Sequence, residues 1–109
     1  MRKLKFPDAF KELPIKKSLS DLEMVKVKEG KEPEHMDSKW VIYFEEPWLY
    51  FHRFLTGICM YKVHIIFTDS NYEIDKILIN GDPELYKINK EDAEETFIEI
   101  LNLFLESKI

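Results

Sequence analysis

At 109 residues, 45% of them hydrophobic and 34% charged, the chain is long enough for one core and too short for a second independent one. No apolar run approaches the roughly 18 residues a bilayer span needs, and the basic start Met1-Arg2-Lys3-Leu4-Lys5-Phe6-Pro7 lacks a signal-peptide core, so a cytoplasmic protein with no membrane partner is expected. The net charge of -5 is uneven, with nine Lys/Arg against seven Asp/Glu in residues 1–34 and three against eight in residues 81–109.

In chain order, Phe6, Phe10 and Leu13 fall around Pro7 and Pro14, and Asp8 can cap a short helical turn reaching Leu13. Glu23 to Lys28 alternates apolar and polar residues, which predicts a strand ended by Glu29-Gly30. Lys31 to Ser38 is polar and without period, so residues 1–38 read as an amino-terminal arm and linker.

Ten of the fifteen aromatic residues then fall between Trp40 and Tyr72, among β-branched neighbours. This composition predicts sheet. Strands are expected at Trp40–Phe44, Trp48–Arg53, Ile58–Phe67 and about Tyr72–Leu78. Glu45-Glu46-Pro47, Phe54 to Gly57 and Thr68-Asp69-Ser70-Asn71 serve as turns, and Asn80-Gly81-Asp82-Pro83 closes the run. Short connections make neighbours antiparallel, hence a β-meander over residues 39–80.

A helix over 89–108 follows, capped by Asn89 and started by Glu91, Asp92, Glu94 and Glu95 where the helix dipole favours negative charge. Ala93, Phe97, Ile100, Leu101 and Phe104 form its apolar stripe, which Ile98, Leu103 and Leu105 widen, opposite an arc of Glu95, Glu99, Asn102 and Glu106. So broad a face packs against the sheet plus either the arm or another subunit, and a homodimer fits the second case. The expected fold is therefore a single α+β domain, an antiparallel sheet of about four strands packed on a carboxy-terminal helix.

A four-residue connection from Phe54 to Gly57 pairs Arg53 with Ile58, His52 with Cys59, Tyr50 with Tyr61 and Trp48 with Val63. One face then carries Trp48, Tyr50, His52, Cys59, Tyr61, Val63 and Ile65; the other carries Leu49, Phe51, Arg53, Ile58, Met60, Lys62 and His64. A one-residue bulge beside Gly57 would exchange part of this assignment. Both faces are rich in apolar residues, so a helix covers one and something else must cover the other.

Chemistry concentrates at the hairpin end. The planar fork of Arg53 suits a carboxylate or phosphate, unless it pairs with a surface acid such as Glu45 or Glu46. His52 and Thr56 add hydrogen-bonding groups, Gly57 a backbone open to close approach, and Tyr50 and Tyr61 walls. His52 beside Cys59 is also the minimum for thiolate activation, against the alternative of two core residues. His35, His52, His64 and Cys59 lack zinc-ligand spacing, and Gly30, Gly57 and Gly81 are too scattered for a phosphate loop. No catalytic residue, metal or cofactor is assigned. The absence of a Lys/Arg cluster interleaved with the central aromatics argues against nucleic acid.

The segment Leu49-Tyr50-Phe51-His52-Arg53-x-x-Thr56-Gly57-x-Cys59-x-Tyr61-x-Val63, with Trp40 and Tyr43 upstream, resembles a motif of small, largely uncharacterised bacterial proteins, typically Tyr-Phe-His-Arg-Ser-Trp-Thr-Gly. The likeness covers residues 39 to 67, and Phe54-Leu55 replaces Ser-Trp, removing a hydroxyl and an indole donor. It implies a shared small α+β fold and brings no activity with it.

The expectation is thus a binding or interaction protein that recognises an anionic ligand at the hairpin tip. The alternatives are an immunity-type or inhibitor protein that docks a partner on its acidic helix face, and a small enzyme acting on a nucleotide-like substrate.

Overall fold

The structure, a computed structural model, describes residues 3–34, 39–82 and 93–108, with side chains of the last segment described from Glu95. Its elements are β1 (Phe10–Leu13), β2 (Lys17–Leu19), α1 (Asp21–Glu29), β3 (Trp40–Glu45), β4 (Trp48–Arg53), β5 (Cys59–Thr68), β6 (Asn71–Asn80) and α2 (Ala93–Leu105). The expected cap at Asn89 and the acidic residues Glu91 and Asp92 lie outside the described residues, as does His35.

The fold is α+β, with one antiparallel sheet in the order β1-β6-β5-β4-β3. Among the described residues the strand count is six rather than about four. β3 to β6 form the anticipated meander, and the amino-terminal third returns to its far edge. There β1 pairs with Ile77–Asn80 and β2 with Tyr72–Ile74, end to end along the same strand. Two strands of four and three residues have little periodicity of their own. They form because β6 offers an unpaired row of backbone donors and acceptors, and the expected turn at Asp8–Leu13 gives way to β1.

The second correction concerns Glu23–Lys28, which is helical. The Ser20 hydroxyl accepts from the Glu23 N–H at 3.1 Å, and the Glu23 carboxylate accepts from the Ser20 N–H at 3.0 Å. This capping box satisfies two donors that the first turn would otherwise leave open. Met24 and Val27 point inward at helical spacing, while Val25 faces solvent. At the other end Gly30 adopts φ 68 and donates to the Lys26 carbonyl. Lys31 then exchanges two backbone hydrogen bonds with Ile42 on the β3 edge, so close that a β-carbon on Gly30 would collide with the Ile42 carbonyl oxygen.

Both helices lie on one face of the sheet, and the core forms between them. Phe51 of β4, Tyr61 of β5 and Phe97 of α2 are its centre. Phe97 stacks on Tyr61 at 4.0 Å and meets Phe51 edge-on at 5.2 Å, and Phe104 meets Phe51 at 5.8 Å.

The hairpin register follows the expectation at the tip and departs from it beyond. Arg53 bonds Ile58 and His52 pairs with Cys59, but an irregularity between Phe51 and His52 then shifts the partners to Phe51–Tyr61, Leu49–Val63, Tyr50–Lys62 and Trp48–His64. One extra residue on β5 reverses every side chain after it. Tyr61, Val63 and Ile65 therefore join Leu49 and Phe51 beneath the helices, while Lys62 and His64 move beside Tyr50 and Trp48 on the opposite face.

The segment Lys3–Ala9 covers part of that opposite face. Leu4 N–H donates to the Gly57 carbonyl, Gly81 N–H donates to Ala9, and Phe6 packs near Phe10 at 6.1 Å. Among the described residues no helix is long and apolar enough to cross a membrane.

Candidate functional site at the hairpin end

The end of the β4–β5 hairpin is held by a short chain of backbone bonds. Arg53 N–H donates to Ile58, Gly57 N–H donates back to Arg53, and Phe54 N–H donates to Lys39, the residue before β3. Gly57 takes φ 76, a left-handed conformation that glycine adopts without steric cost. Its carbonyl accepts two hydrogen bonds, from Leu4 N–H and from the His52 ring.

His52 is buried, and both its nitrogens are engaged. Nδ1 lies 2.9 Å from the Gly57 carbonyl, which can only accept, so Nδ1 carries the proton. Nε2, 3.0 Å from the Tyr43 hydroxyl, then accepts from it. Burial pulls the imidazole below its ordinary pKa, with the nearby Lys3 charge acting in the same direction and the Gly57 bond against it. The ring is accordingly neutral at pH 7 and fixes the turn.

The Cys59 thiol does not form a reactive pair with this ring. Its Sγ lies 3.5 Å from the Tyr61 carbonyl, and burial pushes the thiol up to about 12. A nucleophile needs the thiolate, which this environment suppresses. Asn80 closes the same region by donating to the Cys59 carbonyl at 2.9 Å.

Arg53 is exposed, and its guanidinium lies 5.1 Å from the Trp40 ring centroid. The suggested pairing with Glu45 or Glu46 does not form, because Glu45 pairs with Trp48 at the other end of the hairpin while Arg53 pairs with Trp40. Thr56 is exposed, its hydroxyl accepting a long 3.3 Å bond from Ile58 N–H.

The six candidate residues thus separate. Arg53, Thr56 and Gly57 share the turn, and His52 supports it from beneath. Tyr50 lies on the opposite face, ring to ring with Tyr43 at 5.0 Å. Tyr61 is no wall of the site, since the bulge sends it into the core against Phe97.

Tyr43, which stands with the motif but has no part in the expected site, and the arm residue Leu4 are contributors outside the six candidates. Tyr43 was legible in principle: the tight Glu46-Pro47 turn sets it opposite Tyr50, one step from His52. The Leu4 contact had no local signal.

His64, considered with zinc in mind, instead bonds Asp75 through Nδ1 at 2.7 Å. Among the described residues no group of three His, Cys, Asp or Glu side chains is placed to hold a metal ion.

Comparison with protein-family models, with curated proteins and with solved structures finds no match to this chain.

Proposed function

We propose that the protein is a binding module that recognises an anionic group at the hairpin end, with Arg53 as the recognising fork. One observation carries this reading: an exposed guanidinium held against the Trp40 ring, at the head of a turn braced by His52 and Gly57. A cation stacked on an aromatic ring keeps its in-plane donors free and loses little freedom when an anion arrives. Lys39 flanks the turn just before β3, and the Thr56 hydroxyl is exposed beside it. His52 is a positioning residue, because its polar atoms are spent on Tyr43 and Gly57. The motif that the hairpin resembles has its Ser-Trp pair on this same turn, at Phe54-Leu55, where Leu55 is exposed.

The test is a titration of the full chain with inorganic phosphate, followed by backbone amide shifts. Saturable shifts at residues 53 to 58, lost in Arg53→Ala and partly kept in Arg53→Lys, support the reading. Shifts that persist in Arg53→Ala, or that never saturate, remove it.

A second reading rests on α2. Its sequence from Ala93 to Leu105 has no Lys or Arg, and its outer side forms a shallow depression lined by Glu95, Ile98, Glu99, Asn102 and Leu103. An apolar floor with a carboxylate rim suits a basic protein partner, as an immunity-type or inhibitor protein requires. Salt-sensitive co-purification of one basic protein, abolished by Glu95→Lys with Glu99→Lys, would favour this reading over anion binding.

A further inference from the structure

The sheet face away from the helices presents a different chemistry. Across β3 and β4, the Tyr43 ring stacks on those of Tyr50, at 5.0 Å, and His52, at 5.3 Å, while Tyr50 and His52 are tilted to one another by 41°. The Lys3 ammonium sits 3.9 Å from the centroid of the Tyr43 ring. One strand further on, the Lys62 ammonium lies 4.2 Å from the Trp48 centroid. Aromatic faces carry negative charge density and attract an ammonium held over them.

Electrostatics around the tyrosines point the same way. Burial raises both phenols, Tyr43 to about 12, and the Glu45 carboxylate on the same face of β3 adds to the rise in each. A carboxylate that opposes phenolate formation also attracts a cation to the same place.

The cation that occupies this surface belongs to a stretch outside helix and strand. Lys3 and Leu4 lie in no helix or strand and are exposed. Among the described backbone bonds of Lys3 to Asp8, the tie to the sheet is Leu4 N–H to Gly57. Lys3 is therefore reachable from solvent and held by weak contacts that another chain can replace.

We infer that the Tyr43–Tyr50 surface, with Glu45 beside it, is a binding site for a lysine-type ammonium, filled in this chain by its own Lys3. A partner's lysine would compete with Lys3 for the Tyr43 ring, so the amino-terminal segment acts as a built-in competitor. The site lies on the opposite face from the Arg53–Trp40 pair and takes ligands of opposite charge, so its success or failure is independent of anion recognition.

The test uses the full chain as wild type, Lys3→Ala and Lys3→Gln, titrated with Nα-acetyl-lysine amide and separately with tetramethylammonium chloride. Tyr43 and Tyr50 ring resonances are the readout, and sodium chloride at matched ionic strength is the control. Removing the competitor is expected to give saturable ring shifts at millimolar probe, with binding about two- to fivefold tighter than in wild type. Adding Tyr43→Leu to Lys3→Ala should abolish them.

Lys3→Gln keeps most of the stem, and protection of the Leu4 amide reports whether the segment stays in place. If Lys3→Ala releases the segment, Lys3→Gln decides the matter alone. Shifts confined to tetramethylammonium overturn the lysine-type assignment. Absence of saturable shifts in both Lys3 variants, shifts matched by sodium chloride, or shifts that survive Tyr43→Leu overturn the site.

Discussion

The two faces of the sheet are built from the same kinds of residue and do different work. Under the helices, Phe51, Tyr61, Phe97 and Phe104 pack ring against ring, and the aliphatic strand residues fill the space around them. On the other face every aromatic side chain at the centre has a polar or charged companion: Tyr43 has His52 and Lys3, and Trp48 has His64 and Lys62. What lies above each face explains the contrast. Two helices supply enough apolar side chains to dry a surface, whereas an extended segment of seven residues, Lys3 to Ala9, leaves water at its margins, and amphipathic groups tolerate that boundary. The dry face is therefore expected to supply most of the stability.

The largest test of that division is truncation at the centre of the dry face. Phe97→Ala should cost about 3–5 kcal/mol, because the cavity would open between Phe51 and Tyr61 with no side chain free to fill it. Urea unfolding would measure it. The same truncation on the wet face, Tyr50→Ala, should cost less than half as much, since Tyr50 is only partly buried. Equal losses would mean that the arm seals its face as well as the helices seal theirs.

Gly30→Ala is next in size, at about 1–3 kcal/mol. It places a side chain in the left-handed region and drives the new carbon onto the Ile42 carbonyl. The loss should localise: amide exchange at Lys31 and Ile42, whose mutual bonds hold the end of α1 to β3, should accelerate more than exchange in β5.

How far all this could be read from sequence differs sharply along the chain. Trp40 to Asn80 was legible because long β-branched and aromatic runs broken by tight turns have few other solutions. The α2 stripe was equally plain, with Phe97, Leu101 and Phe104 at helical spacing. The first third was not. Met24-Val25-Lys26-Val27 alternates as a strand would, and only Ser20 with Glu23 three residues later announced the helix. β1 and β2 are too short to show a period, and their pairing depends on the edge of β6, some sixty residues away in sequence. At the site, Arg53 and Gly57 were visible as residues but their surroundings were not. A single unpaired residue in β5 decides whether Tyr61 or Lys62 stands beside Tyr50, and no local feature of sequence fixes that count.

A smaller effect comes from acid. His52 is neutral and buried in the folded chain with its pKa lowered, chiefly by burial. The unfolded state therefore binds more protons as pH falls below neutral, so stability should be full near pH 7 and decline through the ordinary histidine range toward the lowered folded value. His52→Asn should be less stable at pH 7 and show a flatter slope between pH 7 and 5. At the alkaline end the sign reverses. Cys59 and Tyr43 are both held protonated to about 12, so the unfolded chain loses those protons first, from about pH 9 upward, and stability should fall there. Cys59→Ser would remove the thiol's share and leave that of Tyr43.

The smallest expected effect tests the wet face most directly. The Lys62 ammonium lies over Trp48 at 4.2 Å and Phe6 at 5.1 Å, joining β4, β5 and the amino-terminal segment through one charge. Lys62→Met keeps a stem of similar length and removes the charge, so the loss isolates the cation–aromatic attraction, about 0.5–1 kcal/mol. In a double-mutant cycle with Trp48→Leu the coupling should have that size, and a parallel cycle with Phe6→Leu should give less, because its ring is farther away. Coupling near zero in both would mean that Lys62 only drapes its stem across the sheet, and the wet face would then differ from the dry one in exposure alone. A measurable coupling to Phe6 would show that the segment carrying Lys3 is held down partly by a charge on β5, so that a ligand competing for that charge would loosen it.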